Sequence, residues 1–63
     1  MSRKELQHEG YRLGRRAFKR GVKAVAVLDV NVMKLIRLHQ DHTLLILRAW
    51  NRGWHTANAR APY

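Results

Sequence analysis

The segment from Ser2 to Gly21, SRKELQHEGYRLGRRAFKRG, constrains the fold more than any other, because it holds a start, a stop and an apolar stripe centred on two glycines. Ser2 followed by Glu5 has the spacing of a capping box, in which hydroxyl and carboxylate each satisfy a backbone N–H that the first helical turn leaves without a partner. Gly21 supplies the stop, since helices commonly close on a residue of left-handed backbone. On a helical wheel Leu6, Gly10, Tyr11, Leu13, Gly14, Ala17 and Phe18 share one arc of about half the circumference. The spacing predicts a helix over about residues 3–20.

Each glycine inside a helix costs about 1 kcal/mol relative to alanine, so Gly10 and Gly14 at the centre of the stripe call for a compensating contact. Close approach of a second helix provides one. The opposite arc gathers Lys4, Arg12, Arg15, Arg16, Lys19 and Arg20, diluted only by Glu5, His8 and Glu9. Such an arc is often a solvated face. Here the imbalance of sign favours a binding surface.

The whole chain carries 13 Lys and Arg against 4 Asp and Glu, a net charge of +9 that suits phosphate-rich polymers. Residues 1–23 hold eight of the basic residues and two of the acids, so the first helix owns most of the field. A chain of 63 residues is read as one small domain, able to bury only about 60% of its unfolded surface. With no Cys there is no disulfide to reinforce it. No segment approaches the roughly 20 apolar residues of a bilayer span and the first twenty residues lack a signal-peptide core, so the expectation is a cytoplasmic protein.

From Val22 to Leu38 two patterns compete. Val22, Ala24, Ala26, Leu28, Val30 and Val32 alternate as in a strand, whereas Val22, Val25, Leu28, Val32, Leu35, Ile36 and His39 follow helical spacing. β-branched residues favour a strand over 22–28, and Asp29 is placed to cap a short helix over Val30–His39. Asp41 and Thr43 offer caps for a last helix over about 42–59, whose wheel collects Ile46, Leu47, Ala49, Trp50, Gly53, Trp54 and Ala57 on one arc and Arg48, Arg52 and His55 on the other. Gly53 is expected to face Gly10 and Gly14, with Tyr11, Phe18, Trp50 and Trp54 packed around the contact. The reading is all-α: a small antiparallel helix hairpin with a short apolar middle segment that is helix or strand. The tail over 58–63, with the only proline, is expected to fray.

Gly10-Tyr11-x-x-Gly14 within His8 to Gly14, and Trp50-x-x-Gly53-Trp54-x-x-Ala57, together resemble the motifs of the ribosome modulation factor family. The resemblance implies a small basic cytoplasmic protein that binds ribosomal RNA of the small subunit and holds the ribosome in a translationally inactive state, often dimerised. Where that family usually joins its helices with a turn containing Cys and Pro, this chain has the apolar stretch Val22 to Leu38.

The residues expected on RNA phosphates are Lys4, Arg12, Arg15, Arg16, Lys19, Arg20 and Lys23, with Arg48 and Arg52 as a second patch. Tyr11, at the edge of its stripe, is placed for its hydroxyl to reach solvent or phosphate. Trp50 and Trp54 are the type of side chain that stacks on bases, but their arc is that of Ile46 and Leu47, which makes a core role the better reading. His39, Asp41 and His42 have near-helical spacing for zinc, yet a structural site wants four ligands, and a polar turn is preferred. No metal or cofactor is expected. Nor is catalysis, since the single Ser serves as a cap and no nucleophile–base pair or glycine-rich phosphate loop is visible. The competing expectation is a protein-interaction module that docks on an acidic protein or forms a homodimer through Val25, Leu28, Val32, Leu35 and Ile36. Charge reversal at Asp29, away from the basic arc, is expected to serve as an innocuous control for reversals within it.

Overall fold

The computed structural model describes residues 1–61 and is all-α, with three helices and no strand among those residues. Helix α1 spans Arg3–Lys19, α2 Val30–Leu38 and α3 Thr43–Ala59. Among the described residues no helix is long and apolar enough to cross a membrane. The first helix starts on the capping box: Glu5 N–H donates to Ser2 Oγ at 3.1 Å, and Ser2 N–H to Glu5 Oε1 at 3.0 Å. It closes on Gly21, whose φ of +82° turns the chain so that Gly21 N–H reaches the Phe18 carbonyl and Val22 N–H the Ala17 carbonyl. Those two bonds form a Schellman motif.

The pairing of the first and last helices through their glycines is present, but the pair runs parallel, not antiparallel. Gly10 meets Ile46, Gly14 meets Trp50, and Phe18 packs edge-on against Trp54, each pair 36 positions apart. Partner numbers that rise together require parallel axes. The physical reason is α2: a helix inserted between two others carries the chain back to the end where α1 began. An antiparallel pair needs only a turn there.

A Cβ on Gly14 would collide with the Trp50 carbonyl oxygen and stand 2.9 Å from Trp54 N. A Cβ on Gly53 would collide with the Tyr11 carbonyl oxygen and stand 3.1 Å from Arg15 N. The two backbones therefore touch, and each glycine makes room for the other helix. Gly10 is looser, because its Cβ would lie 3.0 Å from the Ile46 carbonyl oxygen and 3.1 Å from Ala49 Cβ.

Residues 22–28, read as strand or helix, are neither. They pass through a loop and one 3₁₀ turn at Ala26–Leu28, closed by Asp29 N–H to the Ala26 carbonyl at 2.9 Å. A strand needs a neighbouring strand to accept its ladder, and the described residues contain none. Asp29 caps α2 as expected, accepting Asn31 N–H at 3.0 Å. At α3 the expected caps do not form: the N-cap is His42, without a side-chain bond, while Thr43 is already helical and its hydroxyl donates to the Gln40 carbonyl at 2.7 Å. The last helix includes Asn58 and Ala59, and Arg60 N–H closes it on Thr56 and Ala57. Pro62 and Tyr63, in the expected tail, lie outside the described residues.

The core joins Leu6, Leu13 and Ala17 of α1, Val32 and Ile36 of α2, and Ile46 and Trp50 of α3. Each fully buried side chain of this size contributes about 1.5–3 kcal/mol. Val32 is fully buried and Ile36 nearly so, which corrects their expected place on a dimer surface. Their spacing of four puts both on the α2 face that the chain covers itself. Val25 and Leu28 are exposed and Leu35 is half-buried.

Trp50 and Trp54 both turn their indole N–H groups inward. Trp50 Nε1 donates to Asp29 Oδ2 at 2.8 Å, and Trp54 Nε1 to the Val22 carbonyl at 2.7 Å. Asp29 itself is fully buried and also accepts from Arg20 Nη2 at 3.0 Å. One carboxylate thus gathers the end of α1, the start of α2 and the middle of α3. Reversing its charge is no control, contrary to the expectation above.

Candidate nucleic-acid interface

Parallel packing brings the beginnings of α1 and α3 side by side, and the space between them is an open groove of about 960 Å³. Its walls are Arg3, Gln7, His8 and Tyr11 from α1, and Asp41, His42, Leu44, Leu45, Arg48, Ala49 and Arg52 from α3 and the turn before it. Helix α2 contributes nothing to this lining. Arg3, Gln7 and Tyr11 recur every four residues along one edge of α1, and Arg48 and Arg52 do the same along α3, so each wall is a helical ridge.

The groove is strongly cationic. Three guanidiniums face one carboxylate, Asp41, and that carboxylate already stands 3.5 Å from His42 Nε2. Among the described residues the side chains of Arg3, Arg48 and Arg52 make no hydrogen bond or ion pair within the chain. A shallower depression of about 630 Å³ adjoins the groove at His8 and Tyr11 and is lined by Lys4 and Arg12 on its outer side.

The expected phosphate contacts therefore divide. Tyr11, Arg48 and Arg52 come together in the groove, and Lys4 lies beside it. Arg15 is half-buried next to the Gly53 contact, while Arg16, Lys19 and Lys23 are exposed on the remainder of α1 and the loop after it. Arg12 holds Glu9 through two bonds, Nε to Oε1 at 2.9 Å and Nη2 to Oε2 at 2.6 Å. That hydrogen bonding keeps the Glu9 carboxyl below its ordinary 4.5 and raises Arg12 in turn. Arg20 is occupied by Asp29. Both arginines arrive at any partner with their charge already opposed.

Arg3, Gln7, His8 and His42 are groove residues that reasoning from the sequence passed over. The signal for the first two was their four-residue spacing to Tyr11. In an antiparallel pair that spacing carries no signal, because Arg48 then lies towards the other end of α1 and away from Arg3. Trp50 and Trp54 belong to the core and take no part in the groove. Among the described residues no group of three or more His, Cys, Asp or Glu side chains is arranged to hold a metal ion. No family model, curated protein or solved structure matches this chain.

Proposed function

We propose that this protein binds RNA through the groove between α1 and α3, and that it acts on the small ribosomal subunit in the cytoplasm as a repressor of translation. The observation that carries the RNA reading is the convergence of Arg3, Arg48 and Arg52 around Tyr11, three guanidiniums against the single carboxylate of Asp41. Unopposed guanidiniums in a concave surface attract polyanions and match phosphate geometry. The ribosomal part of the reading is supported by the resemblance of Gly10-Tyr11-x-x-Gly14 and Trp50-x-x-Gly53-Trp54-x-x-Ala57 to ribosome modulation factor, motifs whose glycines here form the helix contact.

The test is the affinity for small subunits and for their isolated RNA as salt is raised. Three groove arginines alone give a slope of log affinity against log salt of about −2, and engagement of the outer arc of α1 brings it to about −4. Arg48→Glu with Arg52→Glu is expected to weaken binding by about 100-fold or more and to flatten the slope. Both side chains are exposed, so the melting midpoint stays within a degree or two. Undiminished binding by the double variant refutes the groove.

A second reading has its own observation. Val25, Val27, Leu28 and Val30 are all at least half exposed in one short stretch of chain, a concentration that favours a protein contact there. In sedimentation, a dimer that Val27→Asp dissociates supports it. A monomer at all concentrations removes the homodimer.

A further inference from the structure

Tyr11 differs from every other aromatic side chain among the described residues. Phe18 packs against Trp54 with ring centroids 5.2 Å apart, Trp50 donates to Asp29, and Trp54 donates to Val22. The Tyr11 side chain has neither a ring contact nor a hydrogen bond among those residues, and it is half-buried where the groove meets the adjoining depression. Its backbone is nonetheless fixed, because its carbonyl lies against Gly53 at the helix contact. On a rigid backbone a tyrosine has only two side-chain torsions to fix on binding.

We infer that the groove takes an unpaired RNA strand, with one base stacked on the Tyr11 ring and the neighbouring phosphates on Arg3, Arg48 and Arg52. This rests on the RNA-binding reading above and adds the form of RNA. An aromatic ring between cationic ridges is the arrangement with which proteins hold single strands, since every base presents a π-face and the backbone runs along the charge. In a duplex the base faces are stacked on one another and cannot reach such a ring. A surface for duplex alone has use for the arginines and none for an unpartnered tyrosine.

The experiment compares a ten-nucleotide RNA strand containing 2-aminopurine with a 16-base-pair RNA duplex at equal phosphate concentration. Wild type, Tyr11→Leu, Tyr11→Phe and Arg48→Glu are the proteins. Leucine retains apolar bulk at the helix edge and removes the π-face, and the melting midpoint of each variant is read alongside. Wild type is expected to quench 2-aminopurine and to prefer the strand. Tyr11→Leu is expected to lose about 10-fold in strand affinity, together with the quench, and to bind duplex as wild type does. Tyr11→Phe should retain both.

Strand affinity and quench unchanged in Tyr11→Leu overturn the inference. So does an equal loss for strand and duplex, which marks a structural role for the ring, and so does a Tyr11→Phe variant as weak as Tyr11→Leu, which transfers the contact to the hydroxyl. In each of those cases a loss of both RNAs in Arg48→Glu leaves the RNA reading standing. A wild type that binds neither RNA brings down both.

Discussion

Two clusters of arginine and aromatic residues lie at different places on the same pair of helices, and they have opposite characters. At Asp29 the carboxylate accepts from Arg20, Trp50 and Asn31, and the cluster is closed. In the groove, Arg3, Arg48, Arg52 and Tyr11 meet a single exposed carboxylate, Asp41, that is paired with none of them, and the cluster is open. Residue type does not separate them. What separates them is whether the chain supplies the complementary group, and a cation the fold leaves uncompensated is available to something else.

Removing Asp29 is the strongest way to break this contrast. Asp29→Ala leaves the Trp50 indole N–H buried without an acceptor and removes the cap of α2, at an expected cost of about 2–5 kcal/mol. A domain of this size has roughly 3–9 kcal/mol in all. The expected outcome is a protein largely unfolded at 37 °C by circular dichroism. A cooperative melt near the wild-type midpoint would show that the closed cluster is dispensable.

The glycines sharpen the comparison next, since they set the distance between the ridges that form the groove. Gly14→Ala places a methyl group against the Trp50 carbonyl and is expected to cost about 1–3 kcal/mol, a fall in melting midpoint of several degrees. Gly10→Ala meets only the Ile46 carbonyl and the Ala49 methyl group at 3.0–3.1 Å, and alanine returns up to about 1 kcal/mol of helix propensity. Its midpoint is expected to move little in either direction. Equal losses for the two variants would mean that the closest contact is not at Gly14.

The smallest effect concerns acid. Hydrogen bonds with Ser2 hold Glu5, and the bond from Arg12 holds Glu9, below the ordinary 4.5, so the folded chain takes up protons at these groups less readily than the unfolded chain. Their contribution is complete above the unfolded value and is lost as pH falls through the lower folded values. The melting midpoint should therefore decline below about pH 4.5, and Glu5→Gln with Glu9→Gln should make that decline shallower. An unaltered pH profile in the double variant would show that these carboxylates carry no part of it.

What could be read from the sequence was whatever depends on near neighbours in the chain. Ser2 with Glu5, Gly21 and the two wheels placed the long helices to within about a residue of each end, because caps and stripes are local signals. The glycines showed that the helices touch but not in which direction they run, since a small residue has no polarity along a helix axis. That missing sign is why Arg3 went unnoticed and why Arg48 and Arg52 were read as a separate patch. Asp29 was legible as a cap, a contact two residues away, and illegible as the acceptor for Trp50, 21 residues away. In the same way Val22 to Leu28 has the composition of a strand, and composition does not reveal whether a second strand exists.

The interval of about 36 to 42 positions between facing residues of α1 and α3 has a consequence for how the chain reaches its fold. Helical proteins of this size usually fold fast because contacting residues are close in sequence. Here the main interface joins residues separated by more than half the chain, and the intervening loop must be closed before any of its contacts can form. During synthesis α1 can coil, but its glycine stripe has nothing to pack against until Trp50 and Gly53 have left the ribosome. Until then the stripe and the basic arc are exposed together, so the nascent helix is both the most cationic and the least protected part of the molecule.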